Sequence, residues 1–290
     1  MQITRKKRDA MDSNGLPKAK GNPQWDWGAF NGAASADPAE DLDKLAALGF
    51  QSVVVRDCRL NAYLPFLLPE HGGMRLASIV FYLREVLTGR NSISTEAKRL
   101  SQALEIAGEY GADGVIVVGG VFGKAPSDRR RWHDMLEELL WMASPPPDGP
   151  PVLLEPMAAH LEDLFMFPAE VRSFVEGRLP GAHVKFLFDT YQIAAVGLDV
   201  IAEWDRLGSW TGHIHLSDFI PGVDVGRDRE LPGKGRLPFK ELLRRIGPAC
   251  GMSLTLEAGA GGQSFEDSIR YLNDCVEDME KATSKQKEHP

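Results

Sequence analysis

From residue 37 onward one pattern recurs along the chain: an amphipathic stretch, a turn, then a short apolar run rich in β-branched residues. Asp37-Pro38 predicts a helix start, with a capping side chain and a proline at the first helical position. Leu42, Leu45 and Leu48 supply its apolar face, Gly49 ends it, and residues 51–56 predict a buried strand. The same succession predicts a strand over 74–80, a helix over 95–110, a strand over 114–118, a helix over 128–142 and extended chain over 151–154. It continues with a helix over 168–177 before a strand over 184–188, and a helix over 198–207 before a strand over 211–216. A helix over 238–246 then precedes a strand over 252–256, and a last helix spans 265–280. Residues 25–30 supply an eighth strand at the start.

Strands that are apolar throughout, rather than on alternate residues, are buried on both faces, as in a parallel sheet covered by helices. Eight such units in about 250 residues predict an α/β fold, a closed (β/α)8 TIM barrel forming one domain over 23–280. An open doubly wound sheet would want a Gly-x-Gly-x-x-Gly turn after its first strand, and none follows here. The run Gly119-Gly120-Val121-Phe122-Gly123-Lys124 fails as a phosphate loop. Its first glycine would fall on Val118, and Ala125 replaces the hydroxyl residue that holds magnesium. It is expected to be a loop over the barrel mouth. The proline-rich stretch 144–151 joins a helix to the next strand, because proline stops the helix and Gly149 allows the turn. Residues 1–22, with six basic and two acidic side chains, read as a flexible basic arm, and 281–290 as a polar tail that frays.

Composition narrows the class. Lys and Arg total 33 against 41 Asp and Glu, a net charge of −8, which disfavours sequence-independent binding to nucleic acid. No apolar run is long enough to span a membrane, and no apolar segment follows Arg5, Lys6, Lys7 and Arg8 to make a secretory signal. Three widely spaced cysteines, Cys58, Cys250 and Cys275, make neither a disulfide framework nor a zinc motif, and suit a reducing, cytoplasmic setting.

Barrels of this kind keep their chemistry at the C-terminal ends of the strands. Four predicted strands in the second half deliver a ligand-type residue there: Glu155, Asp189, His215 and Glu257. Any one acid after a strand can be a helix cap. Four in succession predict a shared divalent-metal site, because three carboxylates crowded without a cation would repel one another. Three oxygen donors and an imidazole suit Mn2+ first, with Mg2+ or Co2+ as alternatives, over a thiolate-preferring metal. His213, two residues before His215, points to the same side of its strand. It is a candidate substrate contact or partner of a ligand, with a core histidine as the alternative.

The motifs Phe188-Asp189-Thr190-Tyr191, Gly212-His213-Ile214-His215-Leu216-Ser217-Asp218, Leu231-Pro232-Gly233-Lys234-Gly235-Arg236 and Leu254-Thr255-Leu256-Glu257 resemble the xylose isomerase-like barrels. Among these they are most similar to the sugar epimerase and isomerase branch: tagatose 3-epimerase, hydroxypyruvate isomerase and the inosose-processing enzymes. The resemblance is close over 110–275 and rests on rhythm alone before that. It implies one metal held by Glu155, Asp189, His215 and Glu257, with Glu155 and Glu257 also moving protons next to a substrate carbonyl through an enediolate. The substrate it implies is a small carbohydrate or polyol ketone.

Two departures stand out. The epimerases carry a histidine three positions after the strand-six aspartate, where it touches the reacting hydroxyl; Gln192 stands there. A glutamine can bind that hydroxyl but cannot exchange a proton near neutral pH. The substrate-binding arginine that precedes the Pro-Gly-Lys-Gly run corresponds to Arg229, further from Asp218 than usual, so an insertion is expected. These departures keep open a dehydratase or lyase acting on a keto-sugar, keto-cyclitol or dehydroshikimate-like substrate at the same metal site. A non-catalytic barrel is a further alternative. An endonuclease IV-like nuclease is disfavoured, since its cluster is histidine-rich and only His213 and His215, of seven histidines, fall at a strand end. His160, Lys124, Arg56 and Tyr82 are rim positions expected to be structural or surface. A homo-oligomer is compatible with such a barrel.

Overall fold

The apolar runs become strands, and the strands close on themselves. The computed structural model describes residues 25–30, 37–67, 74–119, 129–157, 164–223, 227–248, 250–257 and 264–288. The barrel strands are β1 (Trp27–Phe30), β2 (Ser52–Arg56), β3 (Arg75–Tyr82), β4 (Gly114–Val118), β5 (Val152–Leu154), β6 (Val184–Asp189) and β7 (Thr211–Leu216). A two-stranded excursion, β8 (Asp218–Phe219) with β9 (Arg229–Glu230), precedes the last barrel strand, β10 (Leu254–Glu257). Every barrel pairing is parallel, and β1 pairs with both β2 and β10, which closes the ring. The chain is therefore a single-domain (β/α)8 barrel, and none of its described helices is long and apolar enough to cross a membrane.

Two apolar layers hold it. Val54, Val80, Ile116, Leu153 and Leu187 fill the inside of the barrel. A larger layer, including Trp27, Leu100, Leu139, Val171, Phe186 and Leu272, lies between the strands and the surrounding helices. The helix Pro38–Ala47 begins as its sequence predicts: the Asp37 carboxylate accepts from the Ala39 amide at 2.9 Å, with Pro38 at the first position.

The floor of the barrel is polar, which the apolar rhythm did not predict. Ser52 donates to Asp26 at 2.8 Å and meets the Ser253 hydroxyl at 2.6 Å. Arg75 bridges Asp26 and Asp113, reaching the latter at 3.0 Å. The other Asp113 oxygen accepts from the Ser253 amide at 2.8 Å and lies 2.7 Å from His213 Nδ1. Gly28 leaves room for this network, since a Cβ there would sit 2.5 Å from Ser253 Oγ and 2.6 Å from Thr255 Oγ1.

Some elements were not anticipated. The short helix Thr190–Ala195 follows β6 directly, and the segment expected to carry an insertion pairs as the β8–β9 hairpin. The last helix, expected to end near Glu280, continues to Glu288. Lys281 pairs with Glu277 one turn back at 3.3 Å, and Lys, Glu, Gln and Ala are good helix formers. The basic arm 1–22 and the mouth loop from Gly120 onward lie outside the described residues.

Candidate metal centre and active site

Parallel strands in register bring their last residues to one rim. Asp189 on β6 is level with His215 on β7, and Thr255, two residues before Glu257, is level with His215 from the other side. Glu155 follows β5 immediately. Glu155, Asp189, His215 and Glu257 each offer one ligand atom, and these atoms lie within 4.8 Å of one another. The sequence placed these four on one rim; the structure brings them into one cluster.

Asp189 serves two purposes. Its Oδ1 accepts the amides of Tyr191 at 2.8 Å and Gln192 at 3.2 Å, capping the helix that follows. Its Oδ2 faces the cluster, 2.8 Å from Arg229 Nη2. His215 is 1% exposed, and neither ring nitrogen has a hydrogen-bond partner, although Nδ1 lies 2.8 Å from Glu257 Oε2. That contact is close but poorly aligned for a hydrogen bond. A buried imidazole with no hydrogen-bond partner among carboxylate oxygens fits a metal ligand, since a cation would satisfy the lone pair.

Arg229 reaches the cluster from the hairpin. Its Nη2 also donates to Glu257 Oε2 at 2.6 Å and its Nε to Ser217 Oγ at 3.0 Å, while the guanidinium lies over Tyr191, 5.0 Å from the ring centre. Burial opposes its charge, but Glu257, Asp189 and Glu155 together raise its pKa further. Burial pushes Glu257 up, yet Arg229 and His215 outweigh it and hold the carboxyl down to about 2. Glu155 goes the other way: burial first, then Asp189 and Glu257, raise it well above the usual carboxylate range. Three ionised carboxylates against one guanidinium would leave two negative charges, the charge a divalent cation returns.

The Pro-Gly-Lys-Gly run has a structural reason. Asp218 Oδ2 accepts from the amides of Gly233 at 3.1 Å and Gly235 at 2.7 Å, and Oδ1 from Phe219 and Leu237, both at 2.9 Å. The turn is wound around one carboxylate. Gly233 has φ +90°, and a Cβ on Gly235 would fall 2.6 Å from Asp218 Cγ. Asp218 was not singled out in the sequence; its signal was the Ser-Asp step directly after a strand.

His213 is not at the rim. It points inward as its spacing predicts, but two residues lower, where it is fully buried with Nδ1 on Asp113 and Nε2 3.1 Å from Thr255 Oγ1. Asp113 can only accept, so Nδ1 carries the proton and the Thr255 hydroxyl donates to Nε2. Burial lowers the His213 pKa against the pull of Asp113. Its place is beneath the ligands, with its ring 5.2 Å from that of His215. Gln192 is 1% exposed, with its amide 3.5 Å from Met157 Sδ. Arg56 and Tyr82 do reach the rim, whereas Lys124 and His160 lie outside the described residues.

The model of the xylose isomerase-like TIM barrel family matches residues 42–275, and the chain belongs to that family. Among solved structures, 3-keto-D-glucoside 4-epimerase YcjR from E. coli is 18% identical, with 89% of this chain and 99% of that one covered at a TM-score of 0.66. The probable 3-DHS dehydratase AsbF from Bacillus anthracis is 11% identical, with 86% and 98% covered at a TM-score of 0.61. The IOLI protein, whose structure holds a zinc atom, is 16% identical, with 87% and 97% covered at 0.60. These likenesses are likenesses of fold. No curated protein matches the chain.

Proposed function

We propose that this chain is a divalent-metal-dependent isomerase or epimerase that moves a proton next to the carbonyl of a small keto-sugar or polyol ketone. Glu155, Asp189, His215 and Glu257 are the ligands in this reading, and Glu155 and Glu257 also transfer the protons. The observation that carries it is the cluster itself: four ligand atoms within 4.8 Å, one of them on a buried imidazole whose nitrogens have no hydrogen-bond partner. A bound divalent ion would supply Lewis acidity, polarising the substrate carbonyl and stabilising the enediolate oxygens. The donor set favours Mn2+, Mg2+ or Co2+.

The chain's own residues supply the rest. Glu155 and Glu257 come from strands separated around the ring by β6 and β7, so they can face a substrate from two sides. Two carboxylates that face a substrate from two sides can serve one as base and the other as acid. Arg229, bonded to two of the ligands, is placed to hold a substrate oxygen beside them. Its family and its likeness to an epimerase fold support this reading. Three free cysteines suit a reducing, cytoplasmic setting.

Gln192 favours a second reading, loss of water from the same enediolate. It stands where the resemblance to the epimerases implies a histidine touching the reacting hydroxyl, and it cannot exchange a proton itself. The dehydratase among the similar folds is consistent with that.

The test is metal content by plasma mass spectrometry on the wild type and His215→Ala, purified without chelator, followed by turnover of keto-sugars and keto-cyclitols. Stoichiometric metal in the wild type and loss in the variant are expected. Mass-neutral turnover identifies isomerisation, and loss of water identifies the second reading. A wild type that neither carries nor takes up Mn2+ would sink both.

A further inference from the structure

Among the described residues, one cation at the barrel mouth has no anion to answer it. Arg56 is the last residue of β2, level with Val80 on β3, and follows the inward-facing Val54 by two positions, so its side chain starts toward the barrel interior. Its Nε is buried and has no hydrogen-bond partner, and no ion pair holds the guanidinium among the described residues. Two aromatic rings support it instead: Phe30 at the end of β1, 5.7 Å from ring centre to guanidinium carbon, and Tyr82 at the end of β3, 5.8 Å. Other interior arginines behave differently. Arg75 pairs with two aspartates and Arg229 with Asp189 and Glu257.

The position relative to the ligands is fixed by Phe30. Its ring stacks on the His215 imidazole, 6.0 Å between centres, so Phe30 adjoins both Arg56 and a proposed metal ligand. The guanidinium can be no further from the imidazole than those two separations combined, which a five- or six-carbon chain can bridge. Tyr82 senses both ends: burial raises its pKa, the Arg56 charge lowers it, and Glu257 and Glu155 raise it again.

A guanidinium held against two rings, with Nε closed to solvent and its terminal nitrogens at the end of a half-buried side chain, offers the planar fork that matches a carboxylate. One guanidinium balances a carboxylate's single charge, whereas a phosphate monoester carries nearly two. We infer that Arg56, flanked by Phe30 and Tyr82, binds a carboxylate on the substrate, at the end remote from the carbonyl, so that the substrates are keto acids rather than neutral ketoses. This rests on the metal-dependent reading above and names its substrate class.

The test uses three probes that differ only at C6: D-fructose, D-fructuronate and D-fructose 6-phosphate. Binding to the Mn2+-loaded protein is measured by titration calorimetry on the wild type, Arg56→Gln and Arg56→Lys. Manganese content is determined on each sample first. The wild type is expected to bind D-fructuronate at least about tenfold more tightly than D-fructose, the strength of a buried charged hydrogen bond. That ratio should fall to about one in Arg56→Gln and stay intermediate in Arg56→Lys, which keeps the charge without the fork. Equal affinities in the wild type, a ratio that survives in Arg56→Gln, tighter binding of the phosphate than of the carboxylate, or no binding of any probe by manganese-loaded protein would each overturn the inference. A wild type without manganese overturns the metal reading beneath it, and is distinguished by the metal analysis alone.

Discussion

Arg229 on the β8–β9 hairpin donates to Glu257 on the last barrel strand at 2.6 Å, tying the hairpin to the cluster. The same nitrogen holds Asp189, so one guanidinium balances part of the charge of three carboxylates. Arg229→Met removes that balance and leaves buried anions facing each other. Breaking such a pair costs about 3–5 kcal/mol. Scanning calorimetry in EDTA should show that loss, and Mn2+ should recover part of it by supplying the missing positive charge. Equal losses with and without Mn2+ would show that Arg229 and the cation do not share the neutralisation.

The barrel floor gives a pH dependence. Burial raises the Asp113 pKa, but His213, Arg75 and the Ser253 amide outweigh it, and the net direction is down. A depressed folded pKa means that the unfolded chain takes up the proton first. The stabilisation is therefore complete above the ordinary aspartate value of about 4 and fades as pH falls through the lower folded value. Asp113→Asn should lose about 2–3 kcal/mol at neutral pH, since Arg75 keeps Asp26 and an amide still bonds His213. The gap between variant and wild type should narrow below pH 4. Urea unfolding at a series of pH values reads it directly, and a gap constant down to the lowest pH would contradict the assignment.

Asp218 makes a separate prediction, because its carboxylate is the centre of the Pro-Gly-Lys-Gly turn. Asp218→Ala leaves the amides of Phe219, Gly233, Gly235 and Leu237 without their acceptor. Each unsatisfied buried donor costs about 1–3 kcal/mol, reduced where water can enter. Gly235→Ala should act through the same contact by pushing a methyl against that carboxylate. Both variants should become sensitive to limited proteolysis between β8 and β10 at temperatures where the wild type resists. Cleavage elsewhere first would show that the turn does not hold the hairpin.

Residues whose role is set by one strand were legible in the sequence; residues whose role is set by several were not. Buried parallel strands are continuous apolar runs, so Val152–Leu154 or Thr211–Leu216 could be placed from their own letters. The four ligand-type residues followed from the rule that chemistry sits after each strand, applied one strand at a time. His213 defeats that approach. Its spacing gives its direction, but its depth depends on Asp113, one hundred positions earlier, and on Thr255, forty-two later. The floor network likewise joins Asp26, Ser52, Arg75 and Ser253, each unremarkable in its own segment. The helix Thr190–Ala195 was hidden because Asp189, read as a ligand, is also its cap.

That double duty of Asp189 supplies the last prediction. Oδ1 caps the helix and Oδ2 faces the cluster, so the two roles can be separated by substitution. Asp189→Asn keeps an acceptor for the Tyr191 and Gln192 amides, because asparagine caps as well as aspartate, but removes the charge a cation needs. Asp189→Ala removes both. Without metal, Asp189→Ala should therefore be less stable than Asp189→Asn by about 1 kcal/mol, the value of a helix cap. In the wild type, Mn2+ at about a hundred times its dissociation constant should add about 2.7 kcal/mol, which shifts the melting temperature by several degrees. Both Asp189 variants, and His215→Ala, should lose most of that shift at the same concentration. The measurement is a thermal melt of each protein in EDTA and in Mn2+. An Mn2+ shift that survives in Asp189→Asn would take Asp189 out of the ligand set and leave it only the cap.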